Sequence, residues 1–144
     1  MTCILVVEDE GDIREMIVDV LRDEGFQIVE AASADAAIEL LGLSSLSLLV
    51  TDISLPGHLD GIDLALAARK MRPEIPVVFI SGRPAKLVDA ARVLKDHAAF
   101  LQKPFTFRAL IEDIERLATR EATWPNASLN KLRTSGRLPI EGCD

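Results

Sequence analysis

Five side chains capable of metal or phosphate chemistry follow apolar runs of the sequence. Glu8 and Asp9 come directly after the first run, and Asp52 follows the third. Ser81 follows the fourth run and Lys103 the fifth. Carboxylate oxygens are the ligands that hard divalent cations prefer, while a hydroxyl and an ammonium group are donors to an anion. Whether these groups can act together depends on the segments that position them.

Short apolar runs alternate with segments of helical periodicity along the chain. The runs at 3–7, 26–31, 46–51, 76–80 and 98–101 are typical of strands. Apolar residues between them recur at helical spacing, Ser33 is a predicted N-cap and Gly25 a predicted helix end. The fourth helix is predicted to carry Leu87, Val88, Ala91 and Leu94, and the fifth to end near Glu121.

Five alternating strand and helix units predict a doubly wound α/β fold, a five-stranded parallel sheet flanked by five helices. The carboxyl ends of parallel strands meet at one edge, so we expect the five groups to share a pocket. Three carboxylates packed together raise one another's cost of ionising, and Lys103 alone does not offset them. A divalent cation, Mg²⁺, is therefore predicted at this edge.

Taken singly, each of these residues has a plainer explanation. Glu10 and Asp12 are expected only to cap the first helix. Asp52 alone would fit an Asx turn, Ser81 a helix cap and Lys103 an ordinary surface lysine. Side chains suited to one chemistry follow four of the five predicted strands. This favours a shared site over the separate explanations.

Composition excludes several classes of protein. The 144 residues suit a single domain, and the net charge of −7 disfavours sequence-independent binding to nucleic acid. No apolar run reaches the length of a membrane span, and no basic segment typical of a signal peptide begins the chain. Cys3 and Cys143 lie too far apart in sequence to indicate a zinc site or a disulfide framework. We predict a cytoplasmic protein.

The chain resembles the receiver domains of bacterial response regulators over residues 1–121. The matching motifs are VVEDE at 6–10, TDISLPG at 51–57, DG at 60–61, ISG at 80–82 and KPF at 103–105. The resemblance implies a flavodoxin-like fold of receiver type. Residues 122–144 lack the alternating pattern and form a predicted tail, either flexible or docked through Trp124, Leu129 and Leu132.

The resemblance also implies a role for each site residue. Asp52 would accept a phosphoryl group from a histidine kinase or a histidine phosphotransfer protein. Mg²⁺ (or Mn²⁺) would be held by Glu8, Asp9, Asp52 and the main-chain carbonyl of Ser54. Ser81 would be the switch hydroxyl and Lys103 the active-site lysine. Phe100 would be the switch aromatic, and Pro104 would follow Lys103 through a cis peptide bond.

Some positions depart from the common pattern of that family. Glu8 stands where many members have Asp, and its longer side chain is expected to bind the metal through water. Phe100 has no hydroxyl, so only the packing part of an aromatic switch is retained. The loop after Asp52 is one residue longer than the commonest form and contains His58, which we interpret as a solvated residue.

Rival hypotheses explain the residues less well. A phosphatase of the haloacid-dehalogenase type needs a second Asp two positions after the first, where this chain has Ser54. A nucleotide-binding domain needs a glycine-rich loop after the first strand, where Glu8, Asp9 and Glu10 would repel phosphate. The alternative that stays open is a pseudo-receiver, a protein-interaction module that works without phosphorylation.

The resemblance implies a signalling switch and not an enzyme that turns over a substrate. Its output would pass to a downstream protein through the face formed by the fourth helix, fifth strand and fifth helix. A homodimer through the fourth and fifth helices is a further hypothesis.

Overall fold

A computed structural model describes residues 2–43 and 45–123 of the chain. Strands and helices alternate throughout, as the sequence predicts, and each strand is followed by one helix. The elements are β1 (Cys3–Val7), α1 (Gly11–Asp23), β2 (Gln27–Ala31), α2 (Ala34–Leu40), β3 (Leu46–Asp52), α3 (Gly61–Met71), β4 (Val77–Ser81), α4 (Pro84–Val93), β5 (Ala98–Gln102) and α5 (Phe107–Thr123).

The five strands form one parallel sheet in the order β2-β1-β3-β4-β5. The chain moves outward from β1 to β2 and then returns to β3 on the other side of β1. This reversal makes a topological switch point between β1 and β3, and ligands of open α/β sheets bind at the carboxyl ends of the strands there. Val7 is paired with Thr51, so the residues that leave β1 and β3 emerge side by side.

Both faces of the sheet are buried. Alternate residues of β1 point to opposite faces, and all five are buried. One face packs against α2, α3 and α4, and the other packs against α1 and α5. A strand covered on both faces has no polar side, which is why β1 and β4 are almost entirely apolar in the sequence. The edge strand β2 is only partly covered and carries the exposed residues Gln27 and Glu30.

Local sequence explains where several helices begin and end. The Oγ of Ser33 accepts a hydrogen bond from the main-chain N–H of Ala36 at 3.1 Å, which confirms the predicted N-cap of α2. Gly25 follows the end of α1 with φ of +99°, a conformation that favours glycine. Its N–H donates to Arg22 O and the next N–H, of Phe26, donates to Leu21 O, the two bonds of a Schellman motif.

Leu87, Val88 and Ala91 lie in α4, as predicted. Val88 is half exposed, and the side chain buried against the sheet is that of Ala90. Ala90 lies three residues after Leu87, so both are on the same face of the helix. Val88 follows Leu87 directly, so its side chain is turned by about 100° from that face. Leu94 is buried, but it lies one residue beyond the helix.

The fifth helix continues to Thr123, two residues past its predicted end. The predicted tail anchors Trp124, Leu129 and Leu132 lie outside the described residues, as does Cys143. Among the helices that the structure describes, none has the length and hydropathy that crossing a membrane requires.

Candidate functional site

Three carboxylates meet where β1 and β3 end. Glu8 and Asp9 follow β1, and Asp52 is the last residue of β3. An oxygen from each side chain lies within 4.8 Å of an oxygen from the other two. Glu8 is only 1% exposed and Asp52 only 6%, whereas Asp9 faces solvent. The predicted meeting of these side chains is therefore observed.

Lys103 reaches this group from the far side of β4. Its Nζ lies 2.9 Å from Oδ2 of Asp52 and 3.4 Å from Oε1 of Glu8. Its main-chain N–H donates to the carbonyl of Ser81 at 2.9 Å, which ties the end of β5 to the end of β4. Burial lowers the pKa of Lys103, but the bonds and charges of Asp52 and Glu8 outweigh it, and the pKa is raised. Lys103 is therefore a cation in this site at neutral pH.

Glu8 does not behave as an ordinary carboxylic acid. Burial, above all, raises its pKa to about 7, and the charge of Asp52 acts in the same direction. The main-chain N–H of Glu10, which donates to Oε2 of Glu8 at 3.1 Å, and the charge of Lys103 act against this rise. One lysine thus leaves the negative charge of the carboxylates only partly balanced.

The carboxyl group of Asp52 is held from both sides. Its Oδ1 accepts a hydrogen bond from the main-chain N–H of Ser54 at 3.3 Å, while Oδ2 accepts from Lys103. Gly61, the first residue of α3, packs against the backbone of the same residue. A Cβ atom at Gly61 would lie 2.2 Å from the Asp52 carbonyl oxygen, which no real side chain could tolerate. The position of α3 against β3 therefore requires glycine here.

Ser81 ends β4 and is 1% exposed. Its neighbour Ile80 is paired with Asp52, so Ser81 lies one residue further along the edge that carries the carboxylates. The Oγ of Ser81 accepts a hydrogen bond from the main-chain N–H of Arg83 at 3.0 Å. In this structure the hydroxyl is thus engaged with the loop that leads into α4.

Phe100 lies on β5 and stacks on Phe79 of β4, with ring centroids 5.7 Å apart and planes 10° from parallel. Phe79 is fully buried, whereas Phe100 is half-buried beside the cluster that contains Ala90 of α4. The aromatic ring therefore lies between the sheet and α4, on the face to which Ser81 is linked through Arg83.

Some of the remaining predictions about the site are confirmed and others are not. The peptide bond between Lys103 and Pro104 is cis, as predicted. His58 is exposed in the loop after β3. Glu10 is the N-cap of α1, but its side chain makes no capping bond, and Asp12 lies in the first turn. The metal contact predicted for the Ser54 carbonyl stays a prediction.

Sequence reasoning missed Arg14, whose Nη1 donates to the main-chain oxygen of Glu8 at 2.7 Å. One feature could have revealed it. A cation near the N-terminus of a helix faces the positive end of the helix dipole and is unfavourable there unless other groups hold it. Arg14 lies four residues after the N-cap of α1, so a hydrogen-bond acceptor for its guanidinium group could be expected nearby.

The comparisons with known proteins agree with this geometry. Residues 4–115 match the response regulator receiver domain family. The chain belongs to that family. It is a receiver domain of the kind found in two-component signalling, and its flavodoxin-like fold is confirmed. Receiver domains of response regulators take phosphoryl groups from histidine kinases and bind Mg²⁺ at an acidic pocket.

Individual relatives differ in length. The chain is 34% identical over 117 residues to the response regulator receiver protein CpdR of Brucella abortus, a match that covers 81% of this chain and 97% of CpdR. It is 35% identical over 114 residues to the nitrogen assimilation regulatory protein NtrX of Azorhizobium caulinodans, which covers 78% of this chain but 25% of NtrX. The match to NtrX therefore concerns one part of a longer protein.

A solved structure of the response regulator TrrA from Thermotoga maritima, in complex with Mg²⁺-BeF, is also similar. It superposes with a TM-score of 0.73 and 27% sequence identity, and the match covers 81% of this chain and 99% of that one.

The residues present here fit a divalent cation. Three carboxylate ligands lie within reach of one another, and two of them are buried beside Lys103. Burial of Glu8 without a full countercharge is unfavourable to its ionised form, as the raised pKa of this group shows. A bound cation would supply the missing positive charge.

Proposed function

We propose that this chain is a phospho-accepting response regulator in which Asp52 takes a phosphoryl group from a histidine kinase or a histidine phosphotransfer protein. One observation carries the proposal: Lys103 Nζ lies 2.9 Å from Asp52 Oδ2, within an acidic group that also contains Glu8 and Asp9. A nucleophilic carboxylate, a cation beside it and ligands for a second cation are what phosphoryl transfer to aspartate needs.

Mg²⁺ (or Mn²⁺) would be held by Glu8, Asp9, Asp52 and the main-chain carbonyl of Ser54. When bound, this ion neutralises negative charge on the phosphoryl oxygens. The Mg²⁺-BeF complex of TrrA supports such a site in a protein of the same fold.

The chemical step would form a bond between a carboxylate oxygen of Asp52 and phosphorus. The bond from phosphorus to the donor nitrogen breaks, and its electron pair leaves with the histidine. Lys103 would donate to a phosphoryl oxygen, because its ammonium group already lies beside Asp52. Ser54 N–H and Lys103 hold the two carboxyl oxygens, so the nucleophile is oriented before the donor arrives.

The switch would use Ser81 and Phe100. Phosphorylation adds a charge of order −1 to −2 and new acceptor oxygens at Asp52. The Ser81 hydroxyl donates to the Arg83 carbonyl oxygen at 3.4 Å, and it would exchange this acceptor for one of the new oxygens. Phe100 would then move into the space that the loop leaves, which repacks the face made by α4, β5 and α5.

The repacked face would bind a downstream protein. A homodimer through α4 and α5 is a further hypothesis, and light scattering with and without beryllofluoride tests it through a change of molar mass. The receiver domain, predicted over residues 1–121, would extend to the end of α5 at Thr123, and the rest of the chain would form a tail outside it. The cytoplasmic location predicted from the sequence stays a prediction.

Phosphorylation by a small donor tests the proposed function. We expect the protein, incubated with Mg²⁺ and acetyl phosphate, to gain one phosphoryl group in its intact mass. The adduct should disappear in Asp52→Asn and when Mg²⁺ is removed with a chelator. Asp19→Asn, which removes an exposed carboxylate from α1, is the matched control and should be phosphorylated normally.

An adduct that persists in Asp52→Asn would place the phosphoryl group elsewhere and contradict the proposal. If no adduct forms, the protein is titrated with Mg²⁺ in a calorimeter. A chain that also binds no Mg²⁺ would be a pseudo-receiver.

A further inference from the structure

Arg14 bonds to residues of two neighbouring chain segments from the beginning of α1. Its Nη1 donates to the main-chain oxygen of Glu8 at 2.7 Å, and its Nε donates to Oε1 of Glu30 at 3.1 Å. Glu8 follows β1, and Glu30 belongs to β2. The side chain of Arg14 is only 23% exposed, so the guanidinium group is not a freely solvated surface cation.

The bond to Glu8 acts on the peptide group that joins two of the site's acidic residues. A peptide group is planar, so the carbonyl of Glu8 and the N–H of Asp9 must turn together. The Cα atoms of Glu8 and Asp9 lie at the two ends of this plane. A bond that holds this plane therefore limits how far the backbone at both residues, and with it the two carboxylate side chains, can shift.

The other bonds that Glu8 makes within the described part of the chain involve its own N–H and its side chain. The N–H of Glu8 donates to the carbonyl of Ala31 at 3.1 Å, which fixes the residue at the edge of the sheet. Its side chain accepts from Glu10 N–H and from Lys103. Parallel pairing of β1 with β3 ends one residue earlier, at Val7.

The chemistry of arginine suits this task. A guanidinium group is planar and presents donors in fixed directions, so it can serve two acceptors at once with a defined angle between them. Glu30 takes the second donor and offsets the charge of Arg14. Lysine would keep the charge but has a compact ammonium group on a flexible stem, without this fixed geometry.

We propose that Arg14, oriented by Glu30, is a positioning residue that sets the spacing of the Glu8 and Asp9 carboxylates for a divalent cation. This inference rests on the proposed function, since it concerns the ligands of the proposed Mg²⁺ site. Arg14 itself contacts neither the cation nor the phosphoryl group.

A rise or a fall in Mg²⁺ affinity shows whether Arg14 acts by positioning the carboxylates or only through its positive charge. Arg14 is a cation near the site, so its electrostatic repulsion alone would weaken Mg²⁺ binding. Neutralising it would then strengthen binding. Loss of the positioning bond has the opposite effect, because the carboxylates are no longer held at a spacing suited to the ion.

Calorimetric titration of the full chain with Mg²⁺ tests the inference. We expect Arg14→Gln to raise the Mg²⁺ Kd about 10-fold, as losses of groups that orient metal ligands commonly do. Arg14→Lys retains the charge and should raise the Kd several-fold as well. Arg22→Gln, which removes an exposed cation from the last turn of the same helix, is the matched control and should change it less than about twofold.

Urea unfolding of each variant accompanies the titration. A lower unfolding midpoint in both Arg14 variants with an unchanged Kd would assign Arg14 a purely structural role and overturn the inference. An unchanged or lower Kd in Arg14→Gln would overturn it too. If the wild-type chain binds no Mg²⁺, the proposed function fails and this inference falls with it. If the wild-type chain binds Mg²⁺ and the Arg14 variants bind it as tightly, the proposed function stands and only this inference fails.

Discussion

The protonation of Glu8 links the chemistry of the site to the stability of the fold. Its pKa is raised to about 7 in the folded protein, from an ordinary value of 4.5. Between these two values the folded state binds more protons than the unfolded state. The contribution of Glu8 to the free energy of unfolding therefore falls as pH rises from about 4.5 to about 7 and then levels off.

We predict that Glu8→Gln removes this loss. In metal-free buffer, the variant should become more stable relative to wild type as pH is raised from 5 to 8, as measured by urea unfolding. Glu15→Gln, on the exposed side of α1, is the control and should follow the wild-type pH dependence. The raised pKa would be contradicted if the difference in free energy of unfolding between wild type and Glu8→Gln did not vary with pH.

Lys103 is the cation beside the two buried carboxylates. We predict that Lys103→Met lowers the free energy of unfolding by about 1–3 kcal/mol at pH 8 without metal, because two carboxylates lose a charged partner. Mg²⁺ should restore more stability to this variant than to wild type, since it replaces a missing positive charge. Thermal unfolding with and without Mg²⁺ measures both effects.

Lys70→Met, at an exposed position of α3, is the control for Lys103→Met. It removes the same charge away from the acidic group and should change stability by less than about 0.5 kcal/mol. Equal losses in the two variants would mean that the ion pairs of Lys103 contribute nothing to stability.

At the scale of elements, the contact between α3 and β3 sets the backbone that carries Asp52. A Cβ atom at Gly61 would meet the Asp52 carbonyl oxygen at 2.2 Å and the Cα of Ile53 at 2.8 Å. Both are backbone atoms, so the clash cannot be relieved by a side-chain rotation. Helix and strand would have to separate.

We predict that Gly61→Ala lowers the free energy of unfolding by at least about 2 kcal/mol and slows phosphorylation by acetyl phosphate. Gly42→Ala is the matched control, because a Cβ there meets no atom of the described residues within 4 Å and its φ is not positive. It should be neutral or stabilising by up to about 1 kcal/mol. Similar stabilities of the two variants would show that α3 can shift at little cost.

At the scale of the whole molecule, the proposed switch joins the acidic edge to α4 through Ser81, Arg83 and Phe100. We predict that Mg²⁺ with beryllofluoride changes amide hydrogen exchange in residues 82–101 more than in β2 at the sheet's other edge. The reason is that the described bonds of Ser81 lead toward α4. Exchange measured by mass spectrometry on the full chain checks this.

Asp52→Asn is the control for the exchange experiment and should show no response to beryllofluoride. A response spread evenly over both edges of the sheet would contradict a directed switch. A response confined to the loops around Asp52 would mean that the acidic edge is not coupled to α4.

The sequence was sufficient to predict the strand and helix order and the residues that meet at the strand ends. A strand buried on both faces must be apolar throughout, and parallel strands bring their carboxyl ends to one edge. Asp52 and Lys103 could therefore be predicted to meet although 51 residues separate them. The sequence pattern did not distinguish the exposed Val88 from the buried Ala90 in α4, because one residue turns the side chain by about 100°.

Only the tertiary structure decided how these groups interact. Three features depend on how closely separate elements approach one another: the burial of Glu8, the contact of Gly61 with the Asp52 backbone and the bond from Arg14 to the Glu8 carbonyl. Periodicity and residue type report which face a side chain takes and which end of a strand it follows. They do not report how closely two elements approach, and that approach decides how deeply Glu8 is buried, which is the main cause of its raised pKa.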